Sequence, residues 1–146
     1  TPPEDMLKIL DRFSKFKKPI WVTEFDMDIN DEEAQARFTK DFMTVIFSHP
    51  AIEGFMMWGF WDGSHWHKNA PIFRKDWTIK PSGQALVDLM FQDWWTKASG
   101  STNAQGRYEV RGFFGDYEVL VNSGASTATL KTRLENTGKT LTVTLE

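Results

Sequence analysis

A chain of 146 residues with a net charge of −3 and no cysteine can bury one reasonable core, but falls well short of the roughly 250 residues of a complete α/β barrel. With no long block of lysine or arginine, it lacks the electrostatic footprint of a nucleic-acid binder. The missing cysteine excludes disulfides, zinc–thiolate sites and a thiol nucleophile, and no apolar run approaches the roughly 20 residues that span a bilayer.

The first residues, Thr1-Pro2-Pro3-Glu4-Asp5, carry neither an initiator Met nor a signal peptide, so the chain reads as a piece of a longer protein. A helical stripe of Met6, Ile9, Leu10 and Phe13 follows, stopped by Lys17-Lys18-Pro19. A strand is predicted from Ile20 to about Met27. Asn30 stands three residues before Glu33, the spacing of a capping box, and Phe38, Phe42, Val45 and Ile46 extend a second helical stripe to Pro50. A second strand is predicted over about Gly54 to Phe60. After a long loop, Lys80-Pro81-Ser82 opens a third helix with Ala85, Leu86, Leu89, Met90 and Trp94 at helical spacing. Strands with little polar alternation, separated by amphipathic helices, indicate parallel β under helices.

At Ala98 the composition changes. Residues 99–106 are small and polar and read as a linker between a first region, 1–98, and a second, 107–146. The second is β in character. Arg107 to Phe113 and Tyr117 to Asn122 flank a hairpin loop at Phe114-Gly115-Asp116, and Ala128 to Leu134 and Thr140 to Leu145 flank Glu135 to Lys139. Four short strands make a small antiparallel module.

Chemistry is suggested by Trp21-Val22-Thr23-Glu24-Phe25-Asp26. If strand alternation holds, Glu24 and Asp26 share a face, roughly 6 to 7 Å apart, at the end where barrel enzymes keep their active sites. The second signal is the apolar run from Gly54 into Trp58-Gly59-Phe60-Trp61-Asp62-Gly63-Ser64-His65-Trp66. Of seven Trp and twelve Phe, a large aromatic core accounts for most of the Phe, and Trp21, Trp94 and Trp95 suit strand or helix faces that must be covered, whereas Trp61, Trp66 and Trp77 stand in polar loops where packing explains them less well. Carboxylates beside flat indoles suggest a sugar site. Retaining glycoside hydrolysis uses two carboxyl groups about 5 Å apart. Glu24 suits the nucleophile, and Asp26 a supporting role through charge and hydrogen bonds. His65 and His67 have no third ligand at recognisable spacing, so no metal is expected. Met56-Met57 reads as core filling.

Trp21 to Asp26, Trp58-Gly59 with Asp62 and Trp66, and Asp76-Trp77 leading to Lys80-Pro81 resemble the last quarter of glycoside hydrolase family 10, the retaining endo-β-1,4-xylanases. The Trp58 to Trp66 loop and the tail from Arg111 to Val119 look most like the plant-type and multi-module bacterial members. The resemblance implies an α/β fold: the last quarter of a (β/α)8 TIM barrel, strands seven and eight with their helices, followed by a small antiparallel β module. It implies that Glu24 is the nucleophile, that Asp26 tunes it together with a strand-six histidine, and that Trp58 and Trp66 wall the sugar beside the cleaved bond. It implies xylan or xylo-oligosaccharide as substrate, no metal or organic cofactor, secretion, and the N-terminal part of the same protein as partner, with neither nucleic acid nor membrane.

The family's general acid/base, on strand four, and the substrate-binding residues of strands one to six have no counterpart in the chain. Losing general acid catalysis alone removes about 10²- to 10⁴-fold in rate, so the chain by itself is predicted inactive. The rival readings are a non-catalytic carbohydrate-binding module, a retaining barrel hydrolase acting on another β-glycan, and a simple interaction domain.

Overall fold

Two prolines open the first helix because its first-turn amides need no partners: Pro2 caps and Pro3 begins α1 (Pro3–Ser14), with Glu4 and Asp5 at its positive end. In the computed structural model, which describes residues 2–145, the chain divides into two compact units, 1–92 and 93–146. In the first unit, α1 is followed by β1 (Ile20–Phe25), α2 (Glu32–Ser48), β2 (Ile52–Met57), a 3₁₀ turn at Asp62–Ser64, and α3 (Pro81–Asp88). Among the described residues this is a two-stranded parallel sheet with crossover helix α2, as the alternation of elements predicts.

The core forms where the sheet meets α2. Phe25 is buried and its ring lies 4.6 Å from Phe42 and 5.4 Å from Phe55, with Phe38 stacked beyond at 6.4 Å. Met43, Val45 and Ile46 complete the buried face of α2, which packs on α3. Gly83 on α3 permits close approach of the preceding loop, since a Cβ there would meet Ile72 O at 2.9 Å.

Register along the sheet is broken near the carboxyl end of β1. Val22 pairs with Phe55 and Phe25 with Met57, so Thr23 and Glu24 together oppose Met56 alone. This β-bulge returns Phe25 to the core face after two consecutive exposed residues. Strict alternation, on which the expectation for Glu24 and Asp26 rests, therefore does not describe the strand, and Asp26 lies just beyond its end.

Several expectations need correction. The cap of α2 is Asp31, whose Oδ1 accepts the Ala34 N–H at 2.9 Å, because the helix starts at Glu32; Asn30 is not the cap. Trp21 does not serve as core. It lies over Gly54, where a Cβ would meet its ring at 2.2 Å, yet remains 55% exposed, and Met56 is exposed as well. Both stand on the face of β1 and β2 away from the Phe cluster. The third helix stops at Asp88 and widens into a π turn at Leu89–Asp93, so Trp94 falls outside it.

Among its described residues the second unit holds one antiparallel hairpin, β3 (Gly115–Ser123) and β4 (Ser126–Leu134), in place of the four strands expected. Its partners also differ from those anticipated, because Gly124, at φ 59°, opens a two-residue turn with Ala125 between Ser123 and Ser126. One face, with Tyr117, Val119, Val121, Leu130 and Leu134, is half-buried. Tyr117 Oη donates to Phe113 O at 2.6 Å and lies 2.8 Å from Thr96 Oγ1, which also accepts the Phe113 N–H. Residues 141–145 alternate in burial as a strand would, without joining a ladder. Trp95 is 61% exposed, another departure from the core role expected of it.

Candidate functional site

Because β1 and β2 are parallel, their carboxyl ends lie together. The Trp58 N–H donates to Phe25 O at 3.1 Å, which sets Trp58 beside the Glu24–Asp26 segment. Phe25 turns inward between two carboxylates. Glu24, in the bulge, is exposed, and its carboxylate has no hydrogen-bond or ion-pair partner among the described residues.

Asp26 is different: a quarter of its side chain is exposed, and Oδ1 lies 3.7 Å from Nε2 of His65, whose side chain is only 4% exposed. His65 Nδ1 lies 3.0 Å from both the N–H and the carbonyl oxygen of His67, so the His67 backbone holds the ring with Nε2 toward Asp26. That Nε2 is buried without a hydrogen-bond partner among the described residues. Gly59 makes room for the ring, since a Cβ there would meet His65 Cδ2 at 2.3 Å.

A second such pair runs alongside. His67 Nδ1 lies 3.1 Å from Asp28 Oδ2, and Asp28 Oδ1 accepts from the backbone and side-chain amides of Asn69. Desolvation pushes the Asp28 carboxyl up, but the Asn69 hydrogen bonds together with the bond and charge of His67 outweigh it and hold the carboxyl below its ordinary value. Asp26 and Asp28 on one segment thus face His65 and His67 on the other, with Trp66 between the histidines. Sequence reasoning weighed these histidines only as metal ligands. An i, i+2 carboxylate pair against an i, i+2 histidine pair was the signal available. Among the described residues, no group of three His, Asp or Glu is arranged to hold a metal ion.

The aromatic loop is fixed by polar anchors. Lys80, 4% exposed in its side chain, donates from Nζ to Asp62 Oδ1 at 2.8 Å and to Asn69 O at 3.1 Å. Arg74 makes a bidentate pair with Glu32 in the first turn of α2 and donates from Nη1 to Ile79 O at 3.0 Å. Gln35 is fully buried. Its Nε2 lies 2.9 Å from Met27 O, 2.8 Å from Asn69 O and 3.0 Å from Ala70 O, while its Oε1 accepts from Ser82 Oγ at 3.0 Å. A polar residue on the inner face of α2 gives no periodic signal, so this tie escaped the sequence reading.

Held this way, Trp58, Phe60, Trp61, His65, Trp66 and Trp77 line an open groove of about 710 Å³. Trp58 is 52% and Trp66 74% exposed, so both candidate sugar-binding rings offer surface to a ligand. An open, ring-lined groove next to an unpartnered carboxylate is chemically suited to an extended amphipathic chain such as a polysaccharide.

Comparison with known proteins agrees with this chemistry. The family model described as "Glycosyl hydrolase family 10" matches residues 1–89. The anti-sigma-I factor RsgI6 of Acetivibrio thermocellus is 40% identical over 114 residues, which cover 77% of this chain and 15% of that protein. Endo-1,4-beta-xylanase 1 of Arabidopsis thaliana is 31% identical over 140 residues, 94% of this chain and again 15% of the relative. The chain thus spans about 15% of the length of these curated relatives. Among solved structures, xylanase 10B of Thermotoga petrophila, in complex with xylobiose, superposes with a TM-score of 0.57 at 22% identity, covering 64% of this chain and 33% of that one. This likeness is one of fold. With more than half of its residues matching the family, the chain belongs to glycosyl hydrolase family 10.

Proposed function

We propose that this chain is the C-terminal portion of a retaining endo-β-1,4-xylanase, in which Glu24 attacks the anomeric carbon and Asp26 supports it. Residues 1–98 form strands seven and eight of the barrel with their helices, 99–106 link, and 107–146 form the appended β module. The observation that carries the reading is Glu24, exposed in a bulge at the carboxyl end of two parallel strands beside Trp58 and the ring-lined groove. Bulges next to active sites re-aim side chains, and a nucleophile must be accessible to the sugar. Trp58 and Trp66 stack on the pyranose flanking the cleaved bond. Asp26, with Oδ1 3.7 Å from Nε2 of the buried His65, stays oriented beside Glu24.

The proton donor, the remaining substrate contacts and the strand-six histidine come from the N-terminal part of the parent, without which the chain hydrolyses nothing. No metal or organic cofactor takes part. The uncovered faces of Trp21 and Met56 and the exposed Ile9 and Phe13 of α1 are apolar surface that the rest of a barrel would cover. A polymeric substrate implies secretion; among the described residues no helix is long and apolar enough to cross a membrane.

The test is made on the full-length parent. It is expected to release xylo-oligosaccharides from xylan, and a 2-fluoro-xylobioside inactivator is expected to attach to Glu24, located by mass spectrometry. Glu24→Gln abolishes both, and the chain expressed alone shows neither. Label on any other residue, or full activity in Glu24→Gln, refutes the assignment.

A second reading rests on one observation, the 40% identity to an anti-sigma-I factor over 77% of the chain. In it, the same groove holds polysaccharide as a signal within a regulatory parent. Xylo-oligosaccharide binding by the full-length protein without turnover favours this reading over the first.

A further inference from the structure

The connection between Phe73 and Ile79 is a tight hairpin: the Arg74 N–H donates to Thr78 O at 2.9 Å and the Trp77 N–H to Arg74 O at 2.9 Å. Its loop is Lys75-Asp76-Trp77. Three-residue connections of this kind place their last residue in the left-handed region, where glycine or asparagine is at ease and a bulky side chain is not. Here that residue is Trp77, at φ 67°. The turn alone gives no reason for an indole at this position.

Nor is the ring there for burial, since Trp77 remains 57% exposed. It stacks on Trp61 at 5.0 Å with the planes 9° apart, and Phe60 and Phe73 approach it at 6.4 and 6.2 Å. Trp61 is itself immobilised, with Nε1 donating to Lys75 O at 3.2 Å and Gly63 giving way to its ring, where a Cβ would come within 2.1 Å. The Asp76 carboxylate fastens the turn through Thr78 N and Oγ1. An exposed ring held rigid on a second ring binds with little loss of side-chain freedom, as preorganised aromatic anchors do.

Trp77 and Trp61 line the same groove as Trp58 and Trp66. We infer that Trp77, backed by Trp61, is an additional stacking platform for a β-linked pyranose unit, remote from the unit beside the cleaved bond. The platform rests on the glycan-binding reading and extends it: the groove takes a chain of several sugars, and Trp77 makes affinity depend on chain length.

The test compares full-length wild type with Trp77→Gly and Trp77→Phe on xylohexaose and on an aryl xylobioside. Glycine suits the left-handed turn and removes the ring; phenylalanine keeps a smaller ring in the same backbone. For Trp77→Gly, kcat/KM on xylohexaose is expected to fall about 3- to 10-fold, the range of an aromatic stack, through KM with kcat retained. Hydrolysis of the aryl xylobioside and the melting temperature stay near wild type, and Trp77→Phe recovers part of the loss. Equal losses on both substrates with a lowered melting temperature would show that the ring merely packs on Trp61. No change on either substrate would remove the platform. If wild type neither binds nor cleaves xylan, the glycan reading falls and the platform with it; if wild type cleaves xylan and Trp77→Gly is indistinguishable from it, the platform alone falls.

Discussion

Replacing Lys80 by Met and Asp62 by Leu, singly and together, measures how the aromatic loop is held. The two side chains are 4% and 14% exposed and their charges sit 2.8 Å apart. At an effective dielectric near 20 that separation corresponds to an attraction of about 6 kcal/mol. Desolvating the two ions opposes it by several kcal/mol each, so the pair as a whole contributes little net stability. Removing one partner is another matter, because the remaining charge stays in its low-dielectric site unpaired; each single variant is expected to lose about 3–5 kcal/mol. The double variant removes both charges and is expected within about 1 kcal/mol of wild type. The secondary loss is small, since Asn69 O, which accepts from Lys80 Nζ, also accepts from Gln35 Nε2 at 2.8 Å. Urea unfolding of the full-length parent, followed by Trp fluorescence, supplies the three values. The reasoning fails if the double variant loses the sum of the two singles, or if Lys80→Met costs under about 1 kcal/mol.

Gln35→Leu leaves Ser82 Oγ and Ala70 O without their partner, whereas Asn69 O keeps Lys80 Nζ and Met27 O keeps the Ile29 N–H; at about 1–3 kcal/mol per unsatisfied group, a loss of at least about 2 kcal/mol is expected in the same assay, partly recovered by adding Ser82→Ala. Asp31→Ala should destabilise by about 1 kcal/mol while Asn30→Ala leaves stability unchanged, because only Asp31 caps α2. The Thr78 hydroxyl, followed by the Thr78 N–H, holds the Asp76 carboxyl below its ordinary value. A lowered native pKa stabilises the fold above the unfolded-state value of about 3.9, and that stabilisation disappears as pH falls through the native one. The melting-temperature gap between wild type and Asp76→Asn is therefore expected at neutral pH and closes in acid; a gap that persists unchanged refutes the assignment.

Most of the first unit was legible because its signals are periodic. Phe38, Phe42, Val45 and Ile46 recur along α2, Lys17-Lys18-Pro19 and Pro50 punctuate, and the strands are largely apolar, interrupted at Thr23, Glu24 and Glu53. What escaped depends on which of several local possibilities tertiary contact selects. Asn30 and Asp31 both have capping side chains, and only the start of α2 decides between them. Phe114-Gly115-Asp116 and Gly124-Ala125 both offer turns, and the nine-residue register of β3 with β4 follows from the second. Trp21 has the hydrophobicity of a core residue, but its burial depends on a layer that residues 2–145 do not supply.

The residue types of the candidate site were legible in the sequence, and their arrangement was not. Carboxylates at a strand end and indoles in a polar loop suggest a sugar site from the sequence, whereas the bulge that exposes Glu24 arises from a mismatch in pairing with β2, and one strand's sequence carries no trace of its partner's register. The same holds for the two carboxylate–histidine pairs. They join segments 39 residues apart, from Asp26 to His65 and from Asp28 to His67, so neither segment's sequence announces the pairing. Trp66, 74% exposed, rests against the His67 ring at 4.5 Å. With a histidine on each side tied to the segment that follows Glu24, the loop that carries Trp66 and the strand end that carries Glu24 are joined by one set of contacts, so the proposed sugar-binding ring and the proposed nucleophile sit on linked backbone.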